Sequence, residues 1–242
     1  MKRLFDFLLS FFGLVLSSPL MVPVCILIWM QDYHSPFYIA LRVGKNEKPF
    51  KMVKLRSMVV NADKSGVDST SSNDNRITAI GRFVRRYKLD ELSQLWNVFK
   101  GDMSFVGPRP NVKRETDLYT SQEKRLLSIK PGITDISSIV FSDEGDILKD
   151  SVDPDLRYNQ VIRPWKSRLG LLYVDNMSLW LDVRLIFLTA LAIVSKAKAL
   201  AGIQSIMVEL KSDDQLRQVA TRQEVLVAFP PPGMTEIVTS RR

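Results

Sequence analysis

A mainly helical α+β fold carried on an N-terminal membrane helix is what this chain predicts, and three features of the sequence lead there. The first is an apolar run from Leu4 to Met30 in which Asp6 is the one charged residue. The second is a pair of segments, Phe37–Val43 and Phe50–Met58, which read as strands joined by the turn Gly44-Lys45-Asn46-Glu47-Lys48-Pro49 into a small β-hairpin. The third is a succession of helical patterns further on, separated by glycine and proline signals.

The apolar run exceeds the roughly 20 residues that a bilayer crossing needs. It is too long for the apolar core of a cleaved signal peptide, and no small-residue cleavage site follows it, so it reads as a retained membrane segment. Ser17-Ser18-Pro19 and then Pro23 sit near its middle. Proline removes a backbone donor and crowds the preceding turn, so a kink is expected there, with Ser17 or Ser18 bonding to the carbonyls it frees. Two arrangements follow: a kinked spanning helix, or a re-entrant one that dips into one leaflet and returns. Basic residues flank both ends (Lys2 and Arg3, then Arg42 and Lys45), so charge asymmetry does not choose between them.

After the hairpin, Asn61–Asn75 is polar and reads as a mobile loop. Ile77, Ile80, Val84 and Tyr87 recur at helical spacing, which predicts a short amphipathic helix over 77–88. A further helix is expected from Asp90 to Gly101, burying Leu92, Leu95, Trp96 and Phe99. Gly107-Pro108-Arg109-Pro110 is a rigid turn, because prolines fix the backbone on both sides of Arg109. A helix is predicted over 113–128, then the turn Lys130-Pro131-Gly132, and an interfacial or packed helix over Ser178–Val194. Trp29, Trp165 and Trp180 suit either an interfacial position or ordinary packing. Beyond Gly202 the chain is polar, with Pro230-Pro231-Pro232 and a basic end, and carries no motif.

The 242 residues carry a formal net charge of +8, which calls for an anionic partner: nucleic acid, an anionic membrane face or a phosphate-bearing substrate. One cysteine, Cys25, and one histidine, His34, exclude a disulfide framework, a cysteine metal knuckle and a multi-histidine centre. No nucleic-acid-binding motif is present, so nucleic acid is not expected as a partner.

The chemistry concentrates at Asp90 and Glu91. Acidic residues at a helix start are common as caps and dipole partners. Here their company is basic: Arg85 lies shortly before them, Lys54 and Arg56 share a strand face by the period of two, and Arg109 sits in the proline-braced turn. Cations converging on a carboxylate pair suit an anionic substrate with a divalent cation. A carboxylate is already ionised at neutral pH and can attack phosphorus without a base, provided cations offset its repulsion by a diphosphate. Glycoside hydrolysis fits poorly, because its two carboxyls flank a sugar ring rather than adjoin in sequence.

These residues match a known family. Arg42-Val43-Gly44, Phe50–Met58, Leu89–Val98, Gly101–Pro110 and Lys130–Thr134, in that order, resemble the bacterial sugar transferases, monotopic polyprenyl-phosphate phosphoglycosyl transferases that initiate glycan assembly. The resemblance covers roughly residues 1–195. It implies that Asp90 is the nucleophile, taking a phospho-sugar from a UDP-sugar and releasing UMP, and that undecaprenyl phosphate then accepts it. Glu91 would assist at the metal or as a base for the acceptor, Mg²⁺ would be held chiefly by Asp90, and Arg85 and Arg109, supported by Lys54 and Arg56, would contact phosphate groups. It further implies a re-entrant helix broken at Ser18-Pro19, interfacial amphipathic helices, and a catalytic domain on the cytoplasmic face of the bacterial inner membrane among membrane lipid. Homo-oligomerisation is left open. A catalytically inactive membrane-anchored scaffold is the alternative.

Two positions depart from the family. Ser93 stands where many members have proline, which is expected only to loosen the helix start. Asp135-Ile136-Ser137-Ser138-Ile139 replaces a more usual run in a region expected to bear on the choice of sugar. The expected organisation is a membrane helix over 1–31, a catalytic domain over 32–200 and an appendage of unassigned role over 201–242.

Overall fold

The computed structural model describes residues 1–65 and 69–240. Residues 66–68, within the loop expected to be mobile, lie outside the described residues. The apolar run forms one helix, α1 (Lys2–Met30), uninterrupted at Pro19 and Pro23. Pro19 cannot supply the N–H that would reach the Val15 carbonyl, and the Ser18 hydroxyl donates to that carbonyl instead, at 2.8 Å. The serine thus repairs the lost bond, and the break expected at Ser18-Pro19 is not an interruption of the helix.

Both ends of α1 are fastened to the rest of the chain. At the start, the Lys2 ammonium pairs with the buried Asp182 carboxylate and also donates to the Val106 carbonyl. Arg3 donates to the Val98 and Phe99 carbonyls, and Asp6 accepts from the Ser104 hydroxyl and the Phe105 N–H. At the far end, Val24 and Ile28 pack into a cluster with Leu55, Val84 and Leu89. Much of the remaining surface of α1 is exposed and apolar, including Leu4, Leu8, Phe12, Val15, Leu16, Leu20 and Leu27. By length and composition it is the one helix among the described residues apolar enough to cross a membrane.

The hairpin pairs β1 (Phe37–Val43) with β2 (Pro49–Leu55), antiparallel, with Phe37 opposite Leu55 and Val43 opposite Pro49. β2 therefore stops before Arg56. The amphipathic helix is α2 (Ala79–Arg86), its first turn capped by Thr78, whose hydroxyl accepts from the Gly81 N–H at 2.9 Å. The single helix expected from Asp90 divides into α3 (Leu89–Leu92) and α4 (Leu95–Lys100), closed by Gly101 at φ +93°. Its buried face also differs from the expected one. Leu95, Asn97 and Val98 are buried while Trp96 is exposed and stacks on Phe99, which in turn stacks on Phe7 of α1.

Next comes β3 (Ser104–Val106), which pairs in parallel with β4 (Gly132–Thr134). Between them the predicted helix over 113–128 is replaced by α5 (Lys113–Thr116) and a separate 3₁₀ turn over Glu123–Ser128. The divider is a reciprocal cap: the Thr120 hydroxyl accepts from the Glu123 N–H while the Glu123 carboxylate accepts from the Thr120 N–H. That cap begins a new turn where continuous helix was expected. The rest is helical: α6 (Ile136–Val140), α7 (Glu144–Ile147), α8 (Pro154–Arg157), a π-helical turn over Tyr158–Ile162, α9 (Arg163–Asp175), α10 (Leu179–Val194), α11 (Lys196–Glu209) and α12 (Asp214–Thr221).

One core joins these helices. Val106, Ile136, Leu148, Leu169, Tyr173 and Leu185 share it with Ile203, Ile206, Met207, Leu216 and Ala220. The boundary expected near residue 200 is thus not a boundary in the packing, and α11 and α12 are not an appendage to this core. The chain past α12 also lies back on the domain: Phe229 stacks on Trp165 at 4.4 Å between centroids, and the Pro230 and Pro232 carbonyls accept from Arg168 and Thr120. Trp165 is consequently a core residue, whereas Trp29 and Trp180 are exposed.

Candidate active site

The Asp-Glu pair is placed by its neighbours. Leu89 is buried in the cluster with Val24, Ile28, Leu55 and Val84, which ties α3 to the end of β2 and to α1. Lys88, in the left-handed region at φ +53°, turns the chain out of α2 into α3. The two acids that follow are mostly buried yet each meets a cation. Asp90 Oδ2 lies 3.9 Å from the Lys54 ammonium of β2, and Glu91 Oε1 accepts from Arg109 Nη1 at 2.9 Å.

Arg109 is held by more than its prolines. The Gly107 N–H donates to the Thr134 carbonyl and the Gly132 N–H to the Pro108 carbonyl, so the turn is stitched to β4 on both sides of the parallel pair. A Cβ on Gly132 would lie 2.1 Å from the Gly107 nitrogen, so nothing larger than glycine fits there. The Val43 N–H donates to the Asn111 carbonyl, fastening the same turn to β1.

Arg85 stands close enough for its charge to interact with Asp90, and its Nε donates to the Ser57 hydroxyl at 2.9 Å. The fourth expected cation is elsewhere. Arg56 is buried and grips Asp32 with two bonds of 2.5 and 2.7 Å, while also donating to the Ser35 carbonyl. Because β2 ends at Leu55, the period of two does not carry on to Arg56. The structure gives its guanidinium to the chain leaving α1 rather than to the acidic pair. Asp32 is held at about 2 chiefly by its bond to Arg56.

The two acids differ electrostatically. Burial pushes the Asp90 carboxyl above the ordinary aspartate range, with Lys54 the strongest opposing influence and Glu91 adding to the rise. Burial would raise Glu91 too, but Arg109, with help from Lys88 and Lys54, outweighs it and holds Glu91 low. Lys54 is lowered to about 8, first by burial and then by the charge of Arg109, although Asp90 and Glu91 work against that. So Glu91 is the well-compensated anion, and Asp90 is the one short of positive charge.

Arg109 also lines a small cleft of about 30 Å³, together with Tyr119, Asp135, Ser137, Tyr158 and Lys166. The same turn borders a second, smaller hollow of about 10 Å³ with Gly44, Leu127 and Pro131. Lys166 donates to Glu144 at 2.6 Å. Glu144 and Tyr158 were invisible to sequence reading, since neither lies in a recognisable motif. The departure at 135–139 is visible in the sequence, and its Asp135 and Ser137 line this cleft. Among the described residues no three His, Cys, Asp or Glu side chains converge as a metal site.

The bacterial sugar transferase family matches residues 1–196 of this chain. A UDP-N-acetylgalactosamine-undecaprenyl-phosphate N-acetylgalactosaminephosphotransferase of Aeromonas hydrophila is 31% identical over 193 residues, covering 78% of this chain and 42% of that protein. An undecaprenyl-phosphate galactose phosphotransferase of Salmonella typhimurium is 36% identical over 208 residues, covering 78% and 40%. The chain therefore spans about two fifths of the length of these two relatives. It covers 84% of the exopolysaccharide production protein ExoY of Sinorhizobium fredii, at 33% identity over 207 residues. With more than three quarters of its length matched, the chain belongs to the bacterial sugar transferase family.

Proposed function

We propose that this protein transfers a sugar-1-phosphate from a UDP-sugar to undecaprenyl phosphate through a covalent phospho-sugar on Asp90, as a first membrane step of polysaccharide assembly. The observation that carries the reading is the mostly buried Asp90–Glu91 pair set between Lys54 and Arg109. The names of the relatives, several of them undecaprenyl-phosphate sugar phosphotransferases, support the substrates.

In this reading Arg109, Lys54 and Arg85 receive the diphosphate. An Asp90 oxygen attacks the phosphorus that bears the sugar. The bond from that phosphorus to the bridging oxygen breaks, and UMP leaves with that oxygen. An oxygen of undecaprenyl phosphate then attacks the same phosphorus, forming the new diphosphate and releasing Asp90 as a carboxylate. Glu91 keeps Arg109 in place. Mg²⁺ is bound by one or two carboxylates with substrate phosphates and water, not by an all-protein cage, and Asp90, short of compensating charge, fits that role. When bound it would neutralise charge on the diphosphate.

The membrane reading follows from α1. A continuous helix that can bend at Pro19 and Pro23 and is fastened at both ends to one domain suits a re-entrant position in a single leaflet, with the domain on the cytoplasmic face where UDP-sugars are found.

Two measurements bear on this. Purified full-length protein, with undecaprenyl phosphate and a panel of UDP-sugars, is expected to release UMP from at least one of them. No release from any would favour the scaffold alternative. The pH profile is the second. Lys54 loses its positive charge as pH rises through about 8, so UMP release should fall on that alkaline side. Lys54→Arg, whose guanidinium stays charged, should move the fall to higher pH. An unmoved alkaline limb would separate it from Lys54.

A further inference from the structure

We infer that Asn97, together with Ser93, is a positioning residue that sets the separation between the Lys54 ammonium and the Asp90 carboxylate. The inference rests on the proposed role of Asp90. Neither residue touches a reacting group, and both act through the outer edge of β2.

Asn97 is fully buried in α4. Its Nδ2 donates to the Lys51 carbonyl at 2.7 Å and its Oδ1 accepts from the Val53 N–H at 2.9 Å. The amide orientation is dictated, since reversing it would set donor against donor and acceptor against acceptor. Nδ2 also lies 3.3 Å from Asp102, and the Asn97 carbonyl accepts from the N–H groups of Gly101, Asp102 and Met103. Ser93 works beside it: its hydroxyl lies 3.2 Å from the Val53 carbonyl and 3.0 Å from the Asp90 carbonyl, sharing one proton between them. Both edge groups of Val53 are thus met by side chains of the acid-bearing segment, and Lys54 is the next residue. The segment docks on β2 much as a third strand would, but with two side chains in place of a backbone ladder.

The consequence is geometric. A slip of one residue along β2 would move Lys54 by about 3.3 Å. It would also turn the Lys54 side chain to the opposite face of the hairpin, away from its 3.9 Å approach to Asp90, and a Coulomb attraction falls in inverse proportion to distance. The serine at 93 also acquires a purpose. Where a relative has proline, no hydroxyl is present to join the Asp90 carbonyl to the strand.

The test is a mutant cycle on the full-length protein, scored by kcat and KM for UMP release. Asn97→Ala should lower kcat about fivefold, the worth of roughly one lost net hydrogen bond, with KM for the UDP-sugar little changed. Ser93→Ala should do the same more mildly, and Ser93→Thr, which keeps the hydroxyl, should restore the rate. In a Lys54→Met background Asn97→Ala should cost less than about twofold, because its effect has already been removed. Losses that multiply in that background, or an unchanged kcat in both alanine variants, would overturn the inference. If Asn97→Ala does not fold, the Ser93 pair measured with and without Lys54→Met decides the matter alone. An Asp90→Asn control separates the levels: UMP release by that variant would instead remove the reading beneath.

Discussion

Asp90→Asn is expected to abolish UMP release, by on the order of 10⁴-fold or more, as loss of an attacking group does in enzymes that form covalent intermediates. The substitution is nearly isosteric, so it removes charge and nucleophilicity while leaving the volume of α3 intact. Folding should be unharmed. Asp90 is buried and only partly compensated by Lys54 at 3.9 Å, so a neutral amide removes a desolvated charge as well as a partner. Mass spectrometry of protein quenched with the UDP-sugar alone should show a phospho-sugar adduct on the wild type and none on this variant. Glu91→Gln should differ in kind. It leaves the nucleophile in place but frees Arg109 from its 2.9 Å partner, so weak activity should survive with a labelled Asp90. Normal UMP release by Asp90→Asn would exclude the covalent route.

The second large effect concerns stability. Removing residues 196–242 is expected to unfold the domain, although the family match ends at residue 196. The deleted stretch contributes Ile203, Ile206, Met207 and Leu216, all buried in the shared core. At about 1.5–3 kcal/mol for each large apolar side chain, their loss amounts to roughly 6–12 kcal/mol, an upper figure because the unfolded chain already hides some of that surface. Domain stabilities are of the same size, about 5–15 kcal/mol. The truncated chain should show no cooperative melt. A well-folded 1–195 fragment that still turns over UDP-sugar would show the two helices to be dispensable.

What could be read beforehand was whatever leaves a local periodic trace. The apolar run became α1, alternation gave the β1–β2 hairpin, and the spacing of Ile80 and Val84 gave α2. Lys54, Arg85 and Arg109 were picked out by residue type near the acids, and the structure brings all three to that neighbourhood. Arg56 was not separable from Lys54 by alternation, because the end of β2 at Leu55 has no signature of its own. The parallel pair β3–β4 was illegible for a similar reason: three residues per strand carry no pattern, and its key contact joins Gly107 to Gly132 across a long loop. The break between α5 and the following turn was legible in principle, since Thr120-Ser121-Gln122-Glu123 spells a capping box. Helices α11 and α12 show mixed polarity because only one narrow face of each is buried, and sequence alone made them look like an appendage.

The way α1 is fastened limits how this protein can be re-engineered. Lys2 is the counter-charge of a carboxylate that is 1% exposed, and Arg3 satisfies the last carbonyls of α4. A generic lipid tether or an unrelated hydrophobic leader grafted onto residue 31 would restore attachment to the bilayer but neither of those bonds. In this chain the anchor doubles as an integral strut, so soluble versions would have to redesign Asp182 and the end of α4 along with the helix they discard.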